Sequence, residues 1–353
     1  MSAANDAFAT TGRTEFSFDS ADGKSQVRAV LWVPLAMERA DAAAGEPSLG
    51  CFKPRGVVQL VHGMAEHIDR YDDFARFLAD AGYLVAGHDH IGHGDTAAAP
   101  ECRGVIGAEG GADAMIDDVE QLRLLVSQQV APGTPYFIFG HSMGSLVLRS
   151  YLPRYGQGLA GAVICGTANE ATAVSRAGNL AARAIAAVRG DGYRSGLLHA
   201  LADGAYSRAI KDARTPFDWL SRDPAVPDAF MADEACGFMF GAGAYATLTE
   251  LAWRAAAPAT LAATPHDLPL LYVAGDADPV GGRGVQVAKV YSLLVRPVGK
   301  CGRAVAAAAE SMEAAGVEDL TLRLFPGMRH EILNEFGKEE VYDFILNWIN
   351  LHE

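Results

Sequence analysis

An alternation constrains the fold of this chain more than any other feature. Short apolar runs recur along it, with amphipathic stretches between them. G-V-V-Q-L-V ends at Val61, Y-L-V-A-G at Gly87, Y-F-I-F at Phe139 and G-A-V-I-C at Cys165. A near-continuous apolar run leaves no face for water, so it belongs in a strand covered on both sides. Between the runs the period becomes helical. Tyr71, Phe74, Phe77 and Leu78 share one face, and Gly82 follows as a stop signal. Residues 113 to 130 place Ile116, Val119, Leu122, Leu125 and Val126 on one stripe. Parallel strands need a crossover, usually a helix, so the alternation predicts a mostly parallel central sheet flanked by helices on both faces.

The rhythm has a prelude and an interruption. R-T-E-F-S-F and Q-V-R-A-V-L-W-V alternate in polarity around A-D-G-K, which predicts a hairpin. From about Asn169 to Pro258 the pattern is helical with Gly-rich joints. The alternation resumes with L-P-L-L-Y-V-A-G and T-L-R-L-F-P. It ends in an amphipathic helix carrying Val341, Phe344, Ile345, Trp348 and Ile349. The expected organisation is an α/β core formed by residues 13–168 and 259–353, with residues 169–258 inserted as a helical cap over the sheet's carboxyl edge. Residues 38–53 read as a surface loop and 304–315 as an Ala-rich helix.

Composition narrows the function. The 353 residues are 50% hydrophobic and 20% charged, enough for a substantial core. A net charge of -14 argues against nucleic acid and anionic membrane as partners, since phosphate binding needs a basic footprint. Cys51, Cys102, Cys165, Cys236 and Cys301 are odd in number and contain no C-x-x-C pair, which speaks against a disulfide framework or a zinc site. The first residues have neither a basic start nor an apolar core, and no run reaches the roughly 18 apolar residues of a membrane span. A cytoplasmic, soluble protein without stable membrane insertion is expected. The oligomeric state is left open.

G-H-S-M-G, at residues 140 to 144, lies between an apolar strand and a helical pattern. G-x-S-x-G in that setting is a strand-to-helix turn so tight that a side chain two residues either side of the serine clashes. The turn holds Ser142 in a strained conformation with its hydroxyl at the sheet edge. A serine starting an ordinary helix is the alternative, and the flanking strand and helix favour the nucleophile.

A serine hydroxyl is a poor nucleophile at neutral pH. It needs an imidazole to take its proton and a carboxylate to fix that imidazole's tautomer. On such a fold these follow the serine in the order acid, then histidine. G-D-A-D-P-V puts Asp276 and Asp278 directly after a strand, and Asp278 is favoured as the acid, the other being a loop-capping carboxylate. P-G-M-R-H-E puts His330 just after the last strand. That placement separates His330 from His352 at the C-terminus and from His199 and His266 in or beside the cap. The oxyanion donors are expected to be two backbone amides, that of Met143 after the serine and that of Met64 in the loop ending Q-L-V-H-G-M.

H-D-H-I-G-H-G-D, residues 88 to 95, offers His88, His90 and His93 with a spacing that permits zinc. Gly92 stands where a metal hydrolase of that pattern has an aspartate, and no further ligand cluster follows. The loop reads as structural, and neither a metal nor a cofactor is expected.

H-G-M-A-E-H-I-D-R-Y, D-H-I-G-H-G-D-T and G-H-S-M-G-S together resemble the monoacylglycerol lipase and lysophospholipase branch of the α/β-hydrolase superfamily. G-D-A-D-P-V and P-G-M-R-H-E-I-L-N-E fit the same branch. The resemblance covers roughly residues 13 to 165 and 266 to 350. It implies a serine carboxylester hydrolase with Ser142 as nucleophile, His330 as base, Asp278 as acid, and Met64 and Met143 supplying the oxyanion amides. Residues 38–52 and about 293–312 are longer than the family's usual connections.

The expected substrate is a small ester with an apolar acyl group, of monoacylglycerol or lysophospholipid type, cleaved through an acyl-enzyme. Acyl transfer, amide or peptide cleavage with the same triad, and a non-catalytic ligand-binding member of the fold are the alternatives. Phe238, Met239, Phe240 and Tyr245 are candidates either for an acyl pocket or for packing of the cap on the sheet. A-G-N-L-A-A-R-A-I-A-A-V reads as ordinary cap structure rather than a lipid-touching lid.

Overall fold

The strands form in chain order as β1 (Arg13–Asp19), β2 (Gln26–Trp32), β3 (Val57–Val61), β4 (Leu84–His88), β5 (Tyr136–His141), β6 (Gly161–Cys165), β7 (Leu270–Gly275) and β8 (Leu320–Phe325). They make one sheet in the order β1-β2-β4-β3-β5-β6-β7-β8. β1 pairs antiparallel with β2, and β2 with β4; every later pairing is parallel. The computed structural model describes residues 12–34, 53–202, 204–295 and 316–353. The expectations for residues 38–52 and 304–315, and nearly all of 293–312, lie outside the described residues.

The predicted alternation is the observed one. α1 (Asp72–Asp80) joins β3 to β4, α2 (Gly111–Ser127) joins β4 to β5, and α3 (Met143–Tyr155) joins β5 to β6. Between β6 and β7 lie α4 (Thr172–Arg189), α5 (Gly196–Ala202), α6 (Gly204–Arg208), α7 (Ala225–Ala232), α8 (Ala242–Ala255) and α9 (Pro258–Ala263). α10 (Val285–Leu294) follows β7, and α11 (Lys338–Asn350) follows β8.

The period of two along each strand divides the core into two layers. Val57, Val61, Ile138, Ala162 and Ile164 face a layer filled by α2, α3, α8 and α10. Val58, Leu60, Phe137, Phe139 and Val163 face the other, filled by α1 and α11. Val341, Ile345, Trp348 and Ile349 are the buried stripe of α11, and Phe344 packs at its margin. Gln59 is the polar exception in β3. It is fully buried, and it donates to the Val119 carbonyl at 2.9 Å and accepts from the Tyr136 hydroxyl at 2.6 Å, so no polar atom is stranded.

Two features of this topology prepare a site. The chain leaves β3 for β4 on one side, while β5 lies on the other. The carboxyl ends of β3 and β5 therefore flank the point where the winding reverses, which is where open α/β sheets bind ligands. Buried Arg149 of α3 then ties the chain together above it. Its guanidinium donates to the Ala168 carbonyl at 2.7 Å, just after β6, and to the Ala255 carbonyl at 2.8 Å, at the end of α8. No helix among the described residues is long and apolar enough to cross a membrane.

Candidate active site

The turn at Ser142 is as tight as G-x-S-x-G requires. β5 ends at His141 and α3 begins at Met143, so one residue carries the whole change of direction. Ser142 has φ 53° and ψ −118°, a conformation that costs a non-glycine residue on the order of 1–3 kcal/mol. The two flanking glycines explain how it is held. A methyl group on Gly140 would stand 2.5 Å from the Gly144 carbonyl oxygen, and one on Gly144 would stand 2.2 Å from the Val61 carbonyl oxygen. Hydrogen atoms there let α3 press its first turn onto the end of β3. The Ser142 amide donates to the Cys165 carbonyl at 3.0 Å, and the Ser142 carbonyl accepts from the Ser145 amide at 2.9 Å and the Ser145 hydroxyl at 2.5 Å.

Asp278 lies three residues beyond β7 and is completely buried. Its Oδ1 accepts the Val280 amide at 2.8 Å, and its Oδ2 stands 3.0 Å from His330 Nδ1. Asp276 is exposed and accepts the Gly327 amide at 2.6 Å, so it closes the turn after β8. The two aspartates thus differ both in burial and in partner. His330 is buried between the rings of His141 (4.7 Å between centroids) and Trp219 (5.1 Å). Burial lowers its pKa, but the adjacent Asp278 carboxylate, with Glu331 and Glu66 farther off, more than offsets this, and the net shift is upward. With Nδ1 facing Asp278, Nε2 is the nitrogen left for a reacting hydroxyl.

Ser142, His330, Met64 and Met143 all line one cavity of about 1130 Å³, open space at its mouth included. Neither the Met64 nor the Met143 amide donates to another described residue. The walls are mainly apolar: Leu146, Phe217, Leu220, Phe230, Phe238 and Val280 contribute, from both the sheet edge and the helices after β6. Of the aromatic candidates, Phe238 faces the cavity, whereas Phe240 and Tyr245 are buried in the main core. His199 of α5 also lines the cavity, with Nδ1 3.3 Å from the Tyr245 hydroxyl. His352 packs on Trp348 and reaches Asp319, away from this site.

The histidines of the β4 loop form a packed cluster under the β3 loop. The His62 ring is 4.4 Å from His90 and 5.2 Å from His93, and His88 is 5.0 Å from His90. His62 Nε2 accepts the His90 amide at 2.9 Å, so its proton sits on Nδ1, which donates to the Gly63 carbonyl at 2.8 Å. Burial pushes all four pKa values down, to about 3 for His88 and His93. The cluster is a neutral aromatic support for Gly63 and Met64.

One group of residues escaped the sequence reading. Arg70 is partly buried and donates to both carboxylate oxygens of Glu331, at 2.6 and 2.7 Å, and to Glu66 at 2.6 Å. Glu66 in turn accepts the Gly63 amide at 2.5 Å and the Tyr71 hydroxyl at 2.8 Å. Burial raises the Glu66 pKa, but Arg70, with His141 and His62, holds it down at about 2. Arg70 therefore links the loop before Met64 to the residue after His330. The Glu66–Arg70 spacing of four was a visible signal; the distant partner Glu331 was not.

Residues 52–337 match the Hydrolase_4 family, described as serine aminopeptidase, S33. The monoacylglycerol lipase of Mycolicibacterium smegmatis is 31% identical over 311 residues, covering 85% of this chain and 89% of that protein. A thermostable carboxyl esterase from Bacillus coagulans, solved in complex with glycerol, superposes with a TM-score of 0.79 at 29% identity, covering 97% of this chain and 99% of that one. A soluble variant of the monoglyceride lipase of Saccharomyces cerevisiae shares the fold, with a TM-score of 0.63 at 18% identity over 97% of this chain and 96% of its own. The chain belongs to the Hydrolase_4 family and is an α/β-hydrolase of the monoacylglycerol lipase-like kind.

Proposed function

We propose that this carboxylester hydrolase cleaves a mono-acylated, lipid-like ester by way of an acyl-enzyme on Ser142. The observation carrying the reading is the buried Asp278–His330 pair opening on the same cavity as the strained Ser142. In this reading Ser142 Oγ attacks the ester carbonyl carbon while His330 Nε2 takes the hydroxyl proton. The tetrahedral oxyanion lies against the Met64 and Met143 amides. The carbon–oxygen bond to the alcohol then breaks, and His330 returns the proton to the departing alkoxide. Water enters and attacks the acyl carbon while giving a proton to His330, and His330 returns that proton to Ser142 Oγ as the bond to the acid breaks. Asp278 holds Nδ1–H and stabilises the imidazolium throughout.

The apolar walls at Leu146, Phe217, Phe230 and Phe238 support an acyl chain as the recognised part. Residues 169–258 act as the cap over the site, and substrate choice resides there. Alanine at Ser142 is expected to abolish both fluorophosphonate labelling and turnover of monoacylglycerols, with the circular dichroism spectrum unchanged. Labelling that persists in that variant removes Ser142 from its role. The family's aminopeptidase description keeps amide cleavage as a second reading. Aminoacyl amides offered beside monoacylglycerols of graded chain length decide between them.

A further inference from the structure

At the rim of the cavity, a second cluster brings together three donor types from two distant parts of the chain. His67 follows the β3 loop, while Asp233 and Cys236 lie just beyond α7. One ring nitrogen of His67, a carboxylate oxygen of Asp233 and the Cys236 sulfur all lie within 4.8 Å of one another. His67 Nε2 is 2.8 Å from Asp233 Oδ2, and Asp69 Oδ2 stands 3.6 Å from His67 Nδ1. The Gly237 amide donates to the Ala65 carbonyl at 2.9 Å, which fixes the two segments side by side.

We propose that His67, Asp233 and Cys236 form a binding site for zinc or a similar borderline-soft divalent cation. The donor set is what zinc selects: an imidazole nitrogen, a carboxylate and a thiolate, with a fourth position open for water. Zinc bonds of roughly 2.0–2.3 Å put tetrahedral donors roughly 3.3–3.8 Å apart, so donors already within 4.8 Å need only small side-chain adjustments. Asp69 is placed to accept the other ring N–H of His67, the carboxylate contact that orients histidine ligands. Cys236 is almost fully buried while the Asp233 side chain is 39% exposed, which gives the cation an entry path from solvent.

Metal entry displaces the thiol proton of Cys236 to solvent, because the thiolate is the ligand. The bond network formed would pin the stretch leading to Phe238, on one cavity wall, to the loop carrying Ala65 and Glu66, on the other.

Cobalt(II) titration of the chelator-treated full chain tests this, because a thiolate ligand adds a charge-transfer band in the near ultraviolet. The expected result is a band saturating at one cobalt per chain, displaced by zinc, absent in Cys236→Ser and lost in His67→Gln. Asp233→Asn, at a half-exposed position, is expected to weaken cobalt binding at least tenfold without disturbing the fold. Titration in buffers of different ionisation enthalpy should show proton release on cobalt binding that falls away in Cys236→Ser. No thiolate band in the wild-type protein, or an equal band in Cys236→Ser, overturns the proposal. Neither readout requires Ser142 or ester turnover, so its failure and that of the hydrolase reading are separable.

Discussion

Gly144 stands so close to Val61 that any side chain on it would collide with the Val61 carbonyl, at 2.2 Å. The His62 carbonyl is 2.5 Å from the same point, so the obstacle is backbone on both counts and cannot rotate away. Gly144→Ala is expected to cost about 3 kcal/mol and to displace Ser142 enough to lower kcat at least ~10²-fold. Thermal unfolding and fluorophosphonate labelling rates measure the two effects. A variant of unchanged stability and labelling would mean the turn has room that the geometry denies.

Asp278→Asn should leave the fold intact and reduce kcat by about 10⁴-fold, since the imidazole loses the partner that selects its tautomer. The sign of the pH effect follows from His330. With His330 as the proposed base, its raised pKa places the acid limb of kcat/KM above the ordinary histidine range, because a base works only when neutral. Removing the Asp278 charge should move that limb to lower pH. A limb that stays fixed would assign it to another group.

Arg70→Met leaves Glu66 and Glu331 as buried carboxylates without their cation. Stability should fall by about 3–5 kcal/mol in urea unfolding. Arg70→Lys should recover only part of this, because a lysine cannot bridge both oxygens of Glu331 while reaching Glu66. Full recovery by lysine would show that charge alone, not the forked geometry, holds the two loops.

The histidine cluster predicts how acid destabilises the protein. His88 and His93 are pushed down to about 3, so the folded state resists protons that the unfolded chain takes up below about pH 6.5. Their contribution is complete above that pH and drains as pH falls toward 3, with an upper limit on the order of 4 kcal/mol each. Carboxylates with lowered pKa values, such as Glu66, matter only below about pH 4.5. His67, raised to about 11, acts in the opposite sense: its contribution is complete below about 6.5 and is lost as pH rises to 11. The interval from 6.5 to 4.5 therefore reports on the buried imidazoles together with Asp118, whose carboxyl burial pushes up to about 6 and which acts in the opposite sense. Denaturant unfolding of His88→Leu across that interval should show a flatter slope than wild type; an equal slope would discount His88.

The parts of this molecule legible in the sequence are those encoded over short distances or by order. Continuous apolar runs announce the parallel strands, and the period of α11 announces its buried stripe. Asp276 and Asp278 stand two residues apart after one strand, and their contrast in burial appears only in the structure. The H-x-H-x-x-H spacing of the β4 loop permits ligands, yet its rings pack edge-on against one another and tilted against His62. Pairings across the chain left no such trace. Arg70 meets Glu331 across 261 positions, and His67 meets Asp233 across 166. Neither spacing carries a period or a motif, because the contact exists only once the loops after β3 and β8, and the segment after α7, have been folded onto the same edge.

Arg149 has a consequence for how this enzyme can change. It grips the chain where it departs after Ala168 and again where it returns at Ala255, so one side chain holds both ends of the intervening stretch. Residues added or removed between these two points leave the separation of entrance and exit unchanged, so β6 and β7 keep their spacing beneath a stretch of altered length.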